Sequence, residues 1–168
     1  MKCKSKVKEG SGVPGFGVEA IMFDGACHGT LSGSALSLDE SALAKANGTF
    51  ICNKDDKVTM GVAVAGGFLV SDQFGGCDLT IVKNPAGAVL GAHVYSSEKC
   101  RSCIAALPTG WSTVGTWKSS GYKAKWPNIG GLLAFAFIEG SKVKVVAAGI
   151  AGYPGKISNV ELAHTFDL

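Results

Sequence analysis

The sequence predicts an α+β domain: a β-sandwich of two mixed sheets with one or two peripheral helices. Three observations lead there. Apolar runs of four to eight residues recur along the chain, each bounded by Gly, Asn, Asp or Pro. Twenty-four glycines accompany only 17% charged residues, and 46% hydrophobic residues exclude a linker composition, so the glycines belong to turns and close backbone approaches. Only two segments carry helix signals. At 168 residues the chain suits one domain with a core of its own.

In chain order, residues 1–17 read as a flexible basic arm, with Lys2, Lys4, Lys6 and Lys8 followed by Gly10-Ser11-Gly12 and Pro14-Gly15. The folded domain is expected over 18–168, opening with an apolar run at 18–23. Ser37 and Glu40 form a capping-box pattern, and with Asn47-Gly48 as a stop they predict a helix through Ala42 and Ala46. Strands are expected at 49–52, 58–64, 68–70, 79–82 and 88–95, the last two joined by the turn Asn84-Pro85-Ala86-Gly87. A second helix fits 96–107, with Ser96 or Ser97 as N-cap and Pro108 as stop. A hairpin follows, from Leu132–Ile138 through Glu139-Gly140-Ser141 to Lys142–Ala148. Residues 109–130, which hold Trp111, Trp117 and Trp126, read as surface loops.

The formal charge of +3 belongs to the arm. Without its four lysines and Glu9, twelve basic and twelve acidic residues remain. A neutral body argues against a nucleic-acid-binding domain, whose charge must cluster on the folded surface. No apolar stretch approaches a membrane span, and the lysines lead into no signal-peptide core. The expectation is a soluble monomer with reduced thiols. Six cysteines are too few for a disulfide scaffold.

The chemistry concentrates in Phe74-Gly75-Gly76-Cys77 and Gly91-Ala92-His93. Two glycines allow a sharp turn before the cysteine, and an apolar strand then fixes the cysteine backbone. A hairpin centred on Pro85 sets Cys77 opposite His93, sixteen residues later. A thiol beside an imidazole is the pair that nucleophilic acyl chemistry needs.

Gly76-Cys77, the apolar Ile81-Val82 and His93 together resemble the cysteine–histidine glutamine-deamidase superfamily. That superfamily includes the cytotoxic necrotizing factor catalytic domain, the Burkholderia lethal factor and the chemoreceptor glutamine deamidases. Gly91-Ala92-His93 is similar to the Gly-x-x-His ending of the chemoreceptor branch. The likeness covers residues 68–95. It departs from the toxins' Leu-Ser-Gly before the cysteine, and His93-Val94-Tyr95-Ser96 departs from the chemoreceptor branch's His-Phe-x-x-Pro. The resemblance implies that Cys77 attacks a glutamine side-chain amide of a target protein, with His93 as proton shuttle and no metal or cofactor. It also implies a third element six residues before the cysteine, where Ser71 stands; Asp72 is the alternative on spacing. Backbone N–H groups near Gly76 and Cys77 would hold the oxyanion. A bacterial effector or toxin, exported without a Sec signal and acting in a target-cell cytoplasm, is the implied setting.

Rival features are Leu31-Ser32-Gly33, which Ser34 rather than cysteine follows, and Cys27-His28, whose side chains diverge on a strand. Cys100-Arg101-Ser102-Cys103 lacks the second ligand pair of a zinc site and the βαβ context of a redox motif, so its cysteines are expected to be structural. The competing function is a non-enzymatic β-sandwich binding module that grips a protein through its tryptophan-bearing loops.

Overall fold

The computed structural model describes residues 10–151 and 155–168. The strands are β1 (Ser11–Gly12), β2 (Ala20–Met22), β3 (Ala26–Ser32), β4 (Ala35–Glu40), β5 (Gly48–Ile51), β6 (Val58–Val62), β7 (Phe68–Ser71), β8 (Asp78–Lys83), β9 (Val89–Val94), β10 (Ser112–Lys118), β11 (Gly131–Glu139), β12 (Lys142–Ala151) and β13 (Lys156–Asp167). Helix α1 spans Glu98–Ala105 and α2 spans Tyr122–Lys125. One sheet has six strands in the order β1-β2-β6-β9-β8-β10; the other is a seven-stranded closed ring, β11-β12-β13-β4-β3-β5-β7. Both are mixed, because β2–β6 and β5–β7 are parallel pairs among antiparallel ones. The result is the expected α+β, sandwich-like arrangement with two helices.

Strand alternation builds three cores. Leu79 and Ile81 of β8 face Ile51, Leu69, Ala134 and Val145 of the ring. The opposite face of the six-stranded sheet puts Val58, Met60, Leu90, Ala92 and Val94 against Cys100, Cys103 and Ile104 of α1. Inside the ring lie Cys27, Leu38, Phe50, Val70, Leu133 and Phe135. Strands β7 and β11 therefore divide two cores, which is why they are apolar on both faces. Each fully buried Leu, Ile or Val contributes about 1.5–3 kcal/mol. No helix is long and apolar enough to cross a membrane among the described residues.

Several expectations change. The helix expected from Ser37 is strand β4, paired with β3 from Cys27↔Glu40 to Ser32↔Ala35 through a turn with Gly33 at φ 60°. Leu36 and Leu38 alternate with polar residues and suit a strand, and the Ser37 hydroxyl bonds Asp39 rather than capping a helix. A short 3-10 turn, Leu43–Lys45, is all that remains helical there. Within the expected arm, residues 10–17 are part of the fold. Strand β1 pairs with β2, Val13 is buried, and Phe16 packs edge-on against Trp111 at 4.9 Å. Residues 1–9, with the four lysines, lie outside the described residues. Strands β3, β10 and β13 were not expected. The late hairpin forms as read, with Glu139↔Lys142 closing its turn.

Candidate functional site

The β8–β9 hairpin is shifted from the reading that set Cys77 opposite His93. The Asn84 backbone N–H donates to the Ala88 carbonyl at 3.0 Å and Gly87 adopts φ 82°, giving a three-residue loop centred on Ala86. The Asn84 side chain stabilises it, accepting from the N–H groups of Ala86 and Ala88. Moving the centre from Pro85 to Ala86 puts Leu79 opposite His93. Cys77 is two residues from Leu79, so Cys77 and His93 are diagonal neighbours on the face that meets the ring. On such a ladder diagonal partners are about 7–8 Å apart. The two sheets close tightly beside them. At Gly91, two residues from His93, a Cβ would stand 2.5 Å from Cδ1 of Ile51.

Ser71 reaches His93 from the ring. It ends β7, is wholly buried, and its Oγ lies 2.7 Å from His93 Nδ1. The same hydroxyl donates to the Ile51 carbonyl at 2.5 Å. A hydroxyl has one proton, so Ser71 must accept from His93 Nδ1–H. That assigns the tautomer: Nε2 is unprotonated, and it is buried with no hydrogen-bond partner. Asp72, the alternative, is not the residue bonded to Nδ1. Its Oδ1 is buried without a partner, and burial holds its carboxyl above the usual range.

Aromatic packing completes the imidazole's setting. Phe74 stacks on it at 4.4 Å and 14°, and Trp117 meets Phe74 edge-on at 5.1 Å. His93 is 0% exposed, and this burial lowers its pKa to about 4. It is therefore neutral at pH 7. The Cys77 thiol, 5% exposed, is pushed above its ordinary value by burial, opposed by the N–H groups of Ser96 and Gly75 and the Ser96 hydroxyl. The resting pair is a neutral thiol and a neutral imidazole rather than the thiolate–imidazolium pair. A bare Nε2 near a thiol can take its proton as the sulfur attacks.

Distant residues hold the cysteine's backbone. Gly76 has φ 127°, a conformation for glycine. Its N–H donates to Ser119 Oγ at 2.9 Å, and the Ser119 hydroxyl donates to the Cys77 carbonyl at 2.7 Å. Arg101 of α1 spans the Gly76 carbonyl, at 3.0 Å, and the Asp78 carboxylate, at 3.2 Å. The Gly76 N–H is thus engaged, and the donors at the sulfur are Gly75 and Ser96. The sequence reading gave Ser96 only as a candidate helix cap and Arg101 only as part of the Cys-x-x-Cys segment, and it did not place these or Ser119 at the site. Ser119 lies more than forty residues from Cys77, directly after β10, a strand in a segment read as loops, so no local signal marked it.

The rivals separate cleanly. Leu31-Ser32-Gly33 leads into a hairpin tip. Cys27 is buried inside the ring with its pKa raised to about 11, while His28 is exposed. Cys100 and Cys103 are free thiols buried under the six-stranded sheet. Trp117 is 2% exposed in β10, and Trp111 and Trp126 are partly buried against the cores, so these rings do not form an exposed grip. Cys77, His93 and Ser71 are left as the grouping with chemical potential. Comparison with protein-family models, with curated proteins and with solved structures finds no match to this chain.

Proposed function

We propose that the protein is a cysteine-dependent deamidase acting on a glutamine side chain of a target protein, in the manner of a bacterial effector. The observation that carries this is the unprotonated, unpartnered Nε2 of His93, fixed by Ser71 on the face it shares with Cys77. His93 takes the Cys77 proton as sulfur adds to the amide carbon and the C=O electron pair moves to oxygen. The N–H groups of Gly75 and Ser96 and the Ser96 hydroxyl, already directed at the sulfur, are placed to hold that oxygen. When the tetrahedral intermediate collapses, the C–N bond breaks and the imidazolium gives its proton to the leaving nitrogen, which departs as ammonia. His93 then deprotonates a water that attacks the thioester, and the C–S bond breaks. Sulfur recovers its proton, and the net change is amide plus water to carboxylate plus ammonium. The hydroxyl of Ser71 supports the transient imidazolium by accepting from Nδ1–H, which makes it a positioning residue.

Intact-mass analysis of candidate target proteins incubated with the enzyme tests the reading. A gain of about 1 Da, one amide converted to one acid, that Cys77→Ser abolishes is the expected result. Equal masses with wild type and Cys77→Ser across targets, together with Cys77 alkylation that His93→Asn does not slow, sink it.

A further inference from the structure

Cys52 is disulfide-bonded, so the expected reduced state does not hold for every thiol. The chain has six cysteines, and Cys27, Cys77, Cys100 and Cys103 are free. The sixth is Cys3, in the lysine-bearing segment before Gly10 that lies outside the described residues.

A groove leads from the start of the fold to Cys52. One cavity of about 720 Å³ has Ser11 in its wall, and another of about 410 Å³ has Cys52. Phe23, Asp24, Gly25 and Ala26 line both, and the two adjoin along this stretch. Asp24 and Glu40 are exposed at the rim, and among the described residues no Lys, Arg or His lines either cavity.

The chain enters this groove with a defined heading. Strand β1 pairs antiparallel to β2 through Ser11↔Met22 and Gly12↔Ile21, and Gly10 lies against the Met22 carbonyl. Each step back from Ser11 therefore advances past Met22 toward Phe23 and Asp24. The Phe50 N–H donates to the Gly25 carbonyl at 2.8 Å, and Cys52 stands two residues beyond Phe50. The run from Met22 through Gly25 and across to Phe50 and Cys52 is about 20 Å at most. The seven steps from Gly10 back to Cys3 span about 23 Å when extended. The segment's pattern also fits. Lys2, Lys4, Lys6 and Lys8 alternate with Cys3, Ser5 and Val7, so an extended chain presents the ammonium groups on one face and Cys3 and Val7 on the other.

We propose that residues 2–9 lie extended in this groove, stapled at its far end by a Cys3–Cys52 disulfide. Cys3 and Val7 face the groove wall, and the lysines stand level with the rim carboxylates of Asp24 and Glu40. The staple forms by exchange with a disulfide oxidant such as glutathione disulfide. One cysteine thiolate displaces a glutathione thiolate, and the other cysteine displaces the second. Two protein thiols and one glutathione disulfide become one protein disulfide and two glutathiones. Thiol reductants reverse the exchange, freeing the four lysines and uncovering the groove. The staple stands apart from the deamidase reading, because neither sulfur belongs to the Cys77, His93 and Ser71 set.

Protein equilibrated with glutathione disulfide, then alkylated and digested without reductant, tests the pairing. The expected product is a crosslinked peptide of Cys3 and Cys52, about 2 Da lighter than its two reduced parts. Cys52 recovered alkylated, or joined to any cysteine other than Cys3 of its own chain, overturns the staple. Lysyl endopeptidase tests the groove. Cleavage after Lys4, Lys6 and Lys8 should be at least about tenfold slower in the oxidised protein than after dithiothreitol or in Cys3→Ser. Reversing the rim charge with Asp24→Arg and Glu40→Arg should speed that cleavage severalfold while the crosslink still forms. Cleavage of the oxidised segment at the reduced rate, or unmoved by the reversed rim, overturns docking in this groove.

Discussion

His93 Nδ1 donates to Ser71 Oγ across 2.7 Å, and the bond joins a strand of one sheet to a strand of the other. Its direction follows from the Ser71 proton, which is committed to Ile51. Removing the hydroxyl strands two groups at once, the imidazole N–H and the Ile51 carbonyl. Ser71→Ala should cost about 1–3 kcal/mol in urea unfolding. It should also slow Cys77 alkylation and any deamidation at least tenfold, because Nε2 is no longer held as the base. An unchanged alkylation rate in a folded Ser71→Ala would show that the orientation is immaterial.

Stability should depend on pH through His93. Its folded pKa of about 4 lies below the ordinary 6.5. Between those values the unfolded chain binds the proton and the folded chain does not, so stability falls as pH falls through that window. From pH 7 to pH 4 the loss attributable to this group is about 3 kcal/mol. Comparison of urea midpoints for wild type and His93→Asn over this range should show a shallower slope in the variant. Parallel slopes would mean that His93 is not buried in its neutral form.

Alkylation of Cys77 should show no thiolate plateau near neutrality. Burial holds its pKa above that of an ordinary thiol, so the rate should keep rising as pH passes through the neutral and mildly alkaline range. At neutral pH it should still exceed the rates at Cys27, Cys100 and Cys103, which have no imidazole base, and peptide mapping resolves the four. A pH-independent rate above pH 6 would instead indicate the ion pair.

The two glycines before Cys77 should behave differently. Gly76 holds φ 127°, so Gly76→Ala is strained whatever the space around it and should cost about 1–3 kcal/mol. It should also displace Cys77 and reduce its labelling. A Cβ at Gly75 meets nothing within 4 Å, so Gly75→Ala should be nearly neutral in both measurements. Equal effects of the two changes would refute the backbone argument.

Elements whose signals are local were legible in the sequence. The β11–β12 hairpin, the β8–β9 pair and α1 with its Ser97 cap each carry turn or cap chemistry within a few residues. The Ser37–Glu40 capping box misled because the same residues alternate like a strand, and pairing with β3 decided between the two. The tryptophan segment misled because β10 is rich in Gly, Ser and Thr yet packs Trp117 between the layers. Cys77 and His93 could be found from spacing and Ser71 through the family resemblance, whereas Ser119 and Arg101 reach the cysteine backbone from the segment after β10 and from a helix. Register was the finest limit: one glycine in the left-handed region at position 87 moved the hairpin centre by one residue.

Strand β7, which carries Ser71, is held between β5 and β11, and β11 begins at Gly131. The consequence is one of timing. Cys77, His93 and Ser71 have all been synthesised by residue 93, yet the wall that holds Ser71 is complete only when the last third of the chain has been made. A nascent or clipped chain ending before Gly131 carries the whole set of reactive groups without the partner strand that presents one of them. The Ser71–His93 pair is therefore walled in only once β11 has been made.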